Sequence, residues 1–204
     1  FNQTVATASM GSGGGIYAKD GNSIILINCL FNGNYASNNG GAFSHINISP
    51  VFTNVTLVNN EAGGGNGGGA LRLNGNSQIV NSIFLGNSSP TISIGEGITS
   101  INFSNIENGL SSIFQNNEVQ WGEGNIDSDP YFVDASNGNY HLSDYSPCIG
   151  AGTTTGATTT DIEGNIRPNP AGSNPDIGAY ENALSTPIVD TESPVPTISS
   201  TSSS

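Results

Sequence analysis

Short apolar stretches alternate with runs of Gly, Asn and Ser, and the same alternation returns at a nearly constant interval through the first half of the chain. The segments Gly13-Gly14-Gly15-Ile16, Gly40-Gly41-Ala42-Phe43 and Gly68-Gly69-Ala70-Leu71 begin 27 and 28 residues apart, and each opens a strand-like stretch. Downstream, Asn28 and Asn34, Asn54 and Asn60, Asn81 and Asn87, and Asn102 and Asn108 form pairs whose members are six residues apart. Successive pairs advance by 26, 27 and 21 residues. Three residues after the first Asn of each pair stand Phe31, Leu57, Phe84 and Asn105, and just before it stand Ile27, Thr53, Val80 and Ile101.

A period in the twenties is too short for helical repeats and suits one coil of a β-solenoid, in which each rung pairs its backbone with the rungs above and below. The expected fold is all-β: a right-handed, single-stranded parallel β-helix with rungs of about 26 residues. Like side chains then stack. Phe31, Leu57 and Phe84 form a core file that buries apolar area no single rung could bury alone. Asn28, Asn34, Asn54, Asn60, Asn81, Asn87, Asn102 and Asn108 form ladders that pass amide hydrogen bonds along the axis. The glycine pairs mark corners where backbone passes close to backbone. Residues 1–119 are assigned about four to five coils. Asn2 lies 26 residues before Asn28, so the chain is expected to start inside a coil. An open rung invites edge pairing, so further rungs before residue 1 or a stacked second copy are expected there.

Composition agrees with many short strands joined by turns. The chain has 28 Gly and only 9% charged residues, well under the quarter or so of an average globular domain. A formal net charge of -13, with Lys19, Arg72 and Arg167 as the permanent cations, repels phosphate backbones and excludes nucleic acid as a partner. Cys29 and Cys148 lie too far apart in sequence for a small-module disulfide framework and are read as two separate buried thiols, with a single long-range bridge as the alternative. Neither a signal peptide nor an apolar span of eighteen residues is present in this stretch, so no direct membrane insertion is expected.

The pairing of Gly-Gly-Ala-aliphatic with Phe-x-x-Asn, as in Gly40 to Phe43, Gly68 to Leu71, Phe31 to Asn34 and Phe84 to Asn87, resembles the repeats of the chlamydial polymorphic membrane proteins and related bacterial surface β-helices. Leu57 to Asn60 departs by one aliphatic substitution, and Asn105 to Asn108 departs further, as if the repeat frays towards a cap. From Trp121 onwards, the strings Asp129-Pro130-Tyr131-Phe132, Tyr140-His141-Leu142, Ser146-Pro147-Cys148-Ile149, Asp161 to Pro168 and Asp176 to Glu181 look like the choice-of-anchor Q module that ends many such proteins. Gly150 stands where that module usually carries Asp. The resemblance implies surface display, an extracellular location and adhesion. Residues 120–182 are accordingly assigned to a C-terminal capping module, with Trp121, Tyr131, Phe132, Tyr140 and Tyr180 covering the last rung. Residues 183–204, rich in Ser, Thr and Pro, are read as a linker or tail.

Candidate chemistry is sparse. A polysaccharide lyase needs a base and a cation at the substrate carboxylate, and the rungs offer only Lys19, Arg72 and His45, in no common column. A hydrolase needs paired carboxylates, and Asp20, Glu61, Glu96 and Glu107 show no such arrangement. The cluster Asp127, Asp129 and Asp134 offers hard oxygen ligands for calcium, although these residues equally make ordinary turns, and no other cofactor is expected. His141 is expected to pack against Tyr140 and Leu142. Of five N-glycosylation sequons, only that of Asn47 falls outside the ladder columns. The expected function is a cell-surface or secreted structural and adhesive module that binds surface glycans or assembles with its own copies into filaments. The alternative is a fragment of a β-helix polysaccharide lyase or hydrolase.

Overall fold

The computed structural model describes residues 11–189 apart from residue 22, together with the strand Val5–Ala6. The Asn2 position of the expected preceding rung and residues 190–204 of the tail lie outside the described residues. The described chain is all-β, with helix limited to the short 3-10 turns Gly109–Ser112 and Ala135–Asn137.

Parallel sheets stack as a β-solenoid. The first face holds the strands Ile16–Lys19, Phe43–Ile46, Leu71–Asn74, Ile92–Glu96 and Ile113–Gln115, in that spatial order. The second holds Ile25–Ile27, Val51–Thr53, Ser77–Val80, Thr99–Asn102 and Val119–Trp121. The third holds Leu30–Asn32, Thr56–Val58, Ile83–Leu85 and Asn105–Ile106. A narrower sheet pairs Val5–Ala6, Tyr35–Ala36 and Glu61–Ala62.

Period-2 alternation decides which side chains enter the core. On the first face Ile16, Phe43, Leu71, Ile92 and Ile113 lie in register. On the second the file is Leu26, Phe52, Ile79, Ile101 and Trp121. On the third Phe31, Leu57, Phe84 and Ile106 follow one another. These files meet in one continuous apolar core, each fully buried side chain contributing about 1.5–3 kcal/mol.

Left-handed residues turn the corners between faces. The glycines Gly13, Gly40 and Gly68 have φ of 68, 60 and 71°, and a Cβ at Gly40 would meet the Phe43 carbonyl at 2.2 Å. A second corner falls at Asn28, Asn54, Asn81 and Phe103, with φ between 47 and 53°. Asn tolerates this conformation because its short amide interacts with nearby backbone. A third corner comprises Gly33, Asn59, Gly86 and Asn108.

The fourth rung departs from the spacing expected of the sequence. Val80 pairs with Asn102 and Ile79 with Ile101, so Phe103, not Asn102, succeeds Asn81 at the corner. Likewise Phe84 pairs with Ile106 and Asn105 with Ile83, which places Asn105 outside the core file. Asn108 lies at the left-handed corner and caps the 3-10 turn without a side-chain hydrogen bond. Register is set by keeping Ile101 and Ile106 inside, since a shift of one residue would turn both outwards.

The second members of the first three pairs form an amide ladder. Asn34 Nδ2 donates to Asn60 Oδ1 at 2.8 Å, and Asn60 Nδ2 donates to Asn87 Oδ1 at 2.9 Å. Each of those carbonyl oxygens also accepts the backbone N–H of the neighbouring rung, Asn34 at 3.0 Å and Asn60 at 2.9 Å. Asn60 and Asn87 spend a further N–H on the carbonyls of Phe31 and Leu57. Asn60→Ala strands two buried donors and an acceptor at once. It is expected to lower unfolding free energy by about 3 kcal/mol, measured by urea denaturation.

Candidate functional site

The other Asn column does not stack. At their left-handed corners Asn28, Asn54 and Asn81 aim outwards and hold residues 153–178, which run back along the flank of the solenoid. Asn81 Nδ2 donates to the Thr153 carbonyl at 2.8 Å, and its Oδ1 accepts the Thr153 amide at 2.9 Å. Asn54 Nδ2 reaches the carbonyls of Asp176 and Gly178. Asn28 Nδ2 donates to the Thr160 carbonyl and Thr158 Oγ1. Thr56 Oγ1 accepts the Ala179 amide at 3.0 Å.

The same segment covers the outward side of the third face. Ile83, whose neighbour Phe84 points into the main core, joins Leu142, Cys148, Ile149 and Ile177 in a second apolar cluster. The five aromatic residues therefore do not close the last rung as a group. Trp121 packs on the main core. Phe132 and Tyr140 meet edge to face at 5.2 Å, and Tyr131 is exposed. Tyr180 packs against His141 with ring centroids 4.4 Å apart. His141 lies between the buried Tyr140 and Leu142 on its strand and so faces the opposite way, where its Nε2 lies 3.0 Å from Glu163 Oε2.

A buried charge cluster fastens this strap. Arg167 Nε donates to Glu181 Oε2 at 2.7 Å, with both side chains fully shielded from solvent. Arg167 also donates to Asn28 Oδ1 at 3.2 Å and to the Gly178 carbonyl at 3.1 Å, joining the strap to a solenoid corner. Glu181 accepts the amides of Asn169 and Asp176, and Asp176 accepts those of Gly150 and Asn182. Burial pushes Glu181 up and Arg167 down despite their pairing, because desolvation offsets much of a buried pair's attraction. Burial and the neighbouring Glu181 push Asp176 up to about 7. Burial also works against the Asp161 carboxylate, but four hydrogen bonds, led by the Asn165 side chain, hold it below its ordinary value. Sequence reasoning missed this cluster. One signal for it was an Arg, in a chain with only three Lys and Arg, set among the acids between positions 161 and 181.

The strap also forms the rim of a groove on the second face. Two adjoining depressions of about 240 and 380 Å3 share Val51, Gln78 and Ser100 along the outward side of successive strands. Gln120 extends this file by one rung, and Asn102 and Thr153 line the second depression. Exposed amides and hydroxyls at successive inter-strand steps suit hydrogen bonding to an extended polymer lying along the axis.

The remaining candidates are dispersed. His45 points into the core, fully buried, with Nε2 3.2 Å from Ser77 Oγ and Nδ1 without a partner among the described residues. Desolvation lowers its pKa to about 4. Arg72 faces outwards, and Lys19 pairs at the surface with Asp20. Asp127 accepts the Asn108 amide 19 residues away, Asp129 the Tyr131 amide and Asp134 the Asn137 amide, so Asp127 ties down the Asn108 corner and the other two brace local turns. No group of three metal-ligating side chains converges among the described residues. Asn47 is exposed at a left-handed turn, and its Nδ2 donates to Asp20 Oδ1 at 2.8 Å. Cys29 and Cys148 are both free thiols. Cys29 is only half-buried, whereas Cys148 is fully buried, accepts from Asn105 Nδ2 and is pushed by burial up to about 12.

No protein-family model, curated protein or solved structure matches this chain.

Glu181→Gln leaves Arg167 as an unpaired buried cation and is expected to cost about 3–5 kcal/mol in denaturant unfolding. Asp176 binds its proton more tightly folded than unfolded. Its contribution to stability is therefore complete below about pH 4 and lost as pH rises to about 7. Melting curves across that window should fall more steeply for the wild type than for Asp176→Asn.

Proposed function

We propose that this chain is a module of a bacterial cell-surface or secreted protein, with a structural and adhesive role exercised through the groove on its second face. The resemblance of its rungs to polymorphic-membrane-protein repeats, and of residues 120–181 to the choice-of-anchor Q module, supports the surface location. The observation that carries the binding role is the outward file of Val51, Gln78, Ser100 and Gln120 beside the strap. An extended ligand laid on that file meets a polar group at three successive inter-strand steps of about 4.8 Å, Gln78, Ser100 and Gln120, so weak contacts add along its length.

A neutral glycan suits this face best. The groove lining includes one carboxylate, Glu123, and no cation, and amides and hydroxyls pair with sugar hydroxyls without paying for charge desolvation. The lyase alternative lacks a cation for the substrate carboxylate in this groove, and His45 lies inside the core. On a glycan array of neutral β-linked oligosaccharides, the protein is expected to retain chains of at least four sugars. Gln78→Ala combined with Gln120→Ala should weaken retention about tenfold, the loss of one or two hydrogen bonds, while leaving the melting temperature unchanged. Equal retention by the double variant, or none by the wild type, removes the groove from the reading.

A further inference from the structure

On the first face, around the corner from that groove, the outward file reads Tyr17, Ser44, Arg72, Ser93 and Phe114, all in register. Large and small side chains alternate, so Arg72 and Phe114 stand two inter-strand steps apart, about 10 Å, with only Ser93 between them. Arg72 leans into that space. Its Nη1 donates to Ser93 Oγ at 2.5 Å, and Ser93 is wholly buried. The guanidinium is thus held down at a defined place beside Phe114, not waving on a free stem.

A depression of about 310 Å3 opens at this point, lined by Arg72, Phe114 and the side chains Asn38, Asn39, Asn66 and Asn116. Two features suit it to an anion. None of its lining residues is acidic, in a chain with 16 Asp and Glu against three Lys and Arg. Among the described residues, Arg72 also has no ion-pair partner, whereas Lys19 and Arg167 each have a carboxylate. An uncompensated cation in an acid-free recess of a strongly anionic protein is a local attraction for one negative group, and anions elsewhere are repelled.

We infer that this recess binds a carboxylate-bearing sugar, a uronic acid residue of a glycan. The fork of the guanidinium matches a carboxylate and forms charge-assisted hydrogen bonds with it. The side-chain amides offer both donors and acceptors for ring hydroxyls, and Phe114 supplies the apolar surface that small-ligand sites combine with a few placed polar groups. The volume accommodates a small ligand of one or two sugar rings. The site is on a different face from the neutral-glycan groove and does not depend on it.

The test is a calorimetric or NMR titration of the full chain with tetragalacturonate and with its carboxyl-reduced counterpart, tetragalactose. The acidic oligomer should bind at least about tenfold more tightly than the neutral one, and Arg72→Gln should abolish that preference while Arg72→Lys keeps part of it. Shifted amide signals should fall at Asn38, Asn66, Arg72 and Asn116 and spare Gln78 and Gln120. Equal binding of the two oligomers by the wild type overturns the inference, and so does a preference that survives in Arg72→Gln. A poly-glutamate peptide or inorganic phosphate that binds as tightly as tetragalacturonate also overturns it, since the recess would then select charge and not sugar. The comparison of oligomers on the wild type decides the matter even where Arg72→Gln fails to fold.

Discussion

Everything in this molecule depends on one coil lying in register on the next. Parallel pairing fixes each residue over its counterpart in the neighbouring rung, so a side chain's environment consists largely of copies or near-copies of itself. Apolar files become a core because each member covers the next. An Asn file becomes a ladder because its amide has both a donor and an acceptor, and so can be satisfied from both sides at once. Ser cannot pass a bond along this way and reach a carbonyl too, and Asp, with only acceptors, would repel its neighbour.

The same constraint explains why one residue type performs two tasks six positions apart. At Asn34, Asn60 and Asn87 the side chain is buried or half-buried within the stack, and its partners are other rungs. At Asn28, Asn54 and Asn81 the backbone is left-handed, the side chain leaves the stack, and its partners are more than 70 residues away in the strap. Those outward amides turn the edge of the solenoid into a row of hooks at regular spacing. The strap that they hold covers Ile83 and Thr56 on the third face and frames the groove on the second.

Fastening the strap brings charge into the interior. Arg167 reaches Asn28 only because Glu181 neutralises it, and Glu181 and Asp176 are tolerated only because backbone amides of the strap point at them. Such a cluster adds little net stability relative to an apolar core of equal volume, but it is geometrically exacting, since removing one partner leaves a buried charge unanswered. It specifies where the strap docks more than how tightly.

The rung period, the inward files through Phe31, Leu57 and Phe84, and the parallel solenoid were all legible in the amino-acid order, because in-register stacking writes the same local pattern again and again. The fate of the fourth pair was not, since the spacing of Asn102 and Asn108 imitates the others while the burial of Ile101 and Ile106 shifts them by one place. Nor could the order of residues tell a ladder Asn from a hook Asn, expose the Arg167–Glu181 pair, hide His45, or bring Arg72 beside Phe114 in an acid-free recess. Those outcomes turn on which segments meet across tens to more than a hundred positions of chain. Local spacing governs backbone conformation and the parity of burial; only packing in three dimensions decides what each side chain finally touches.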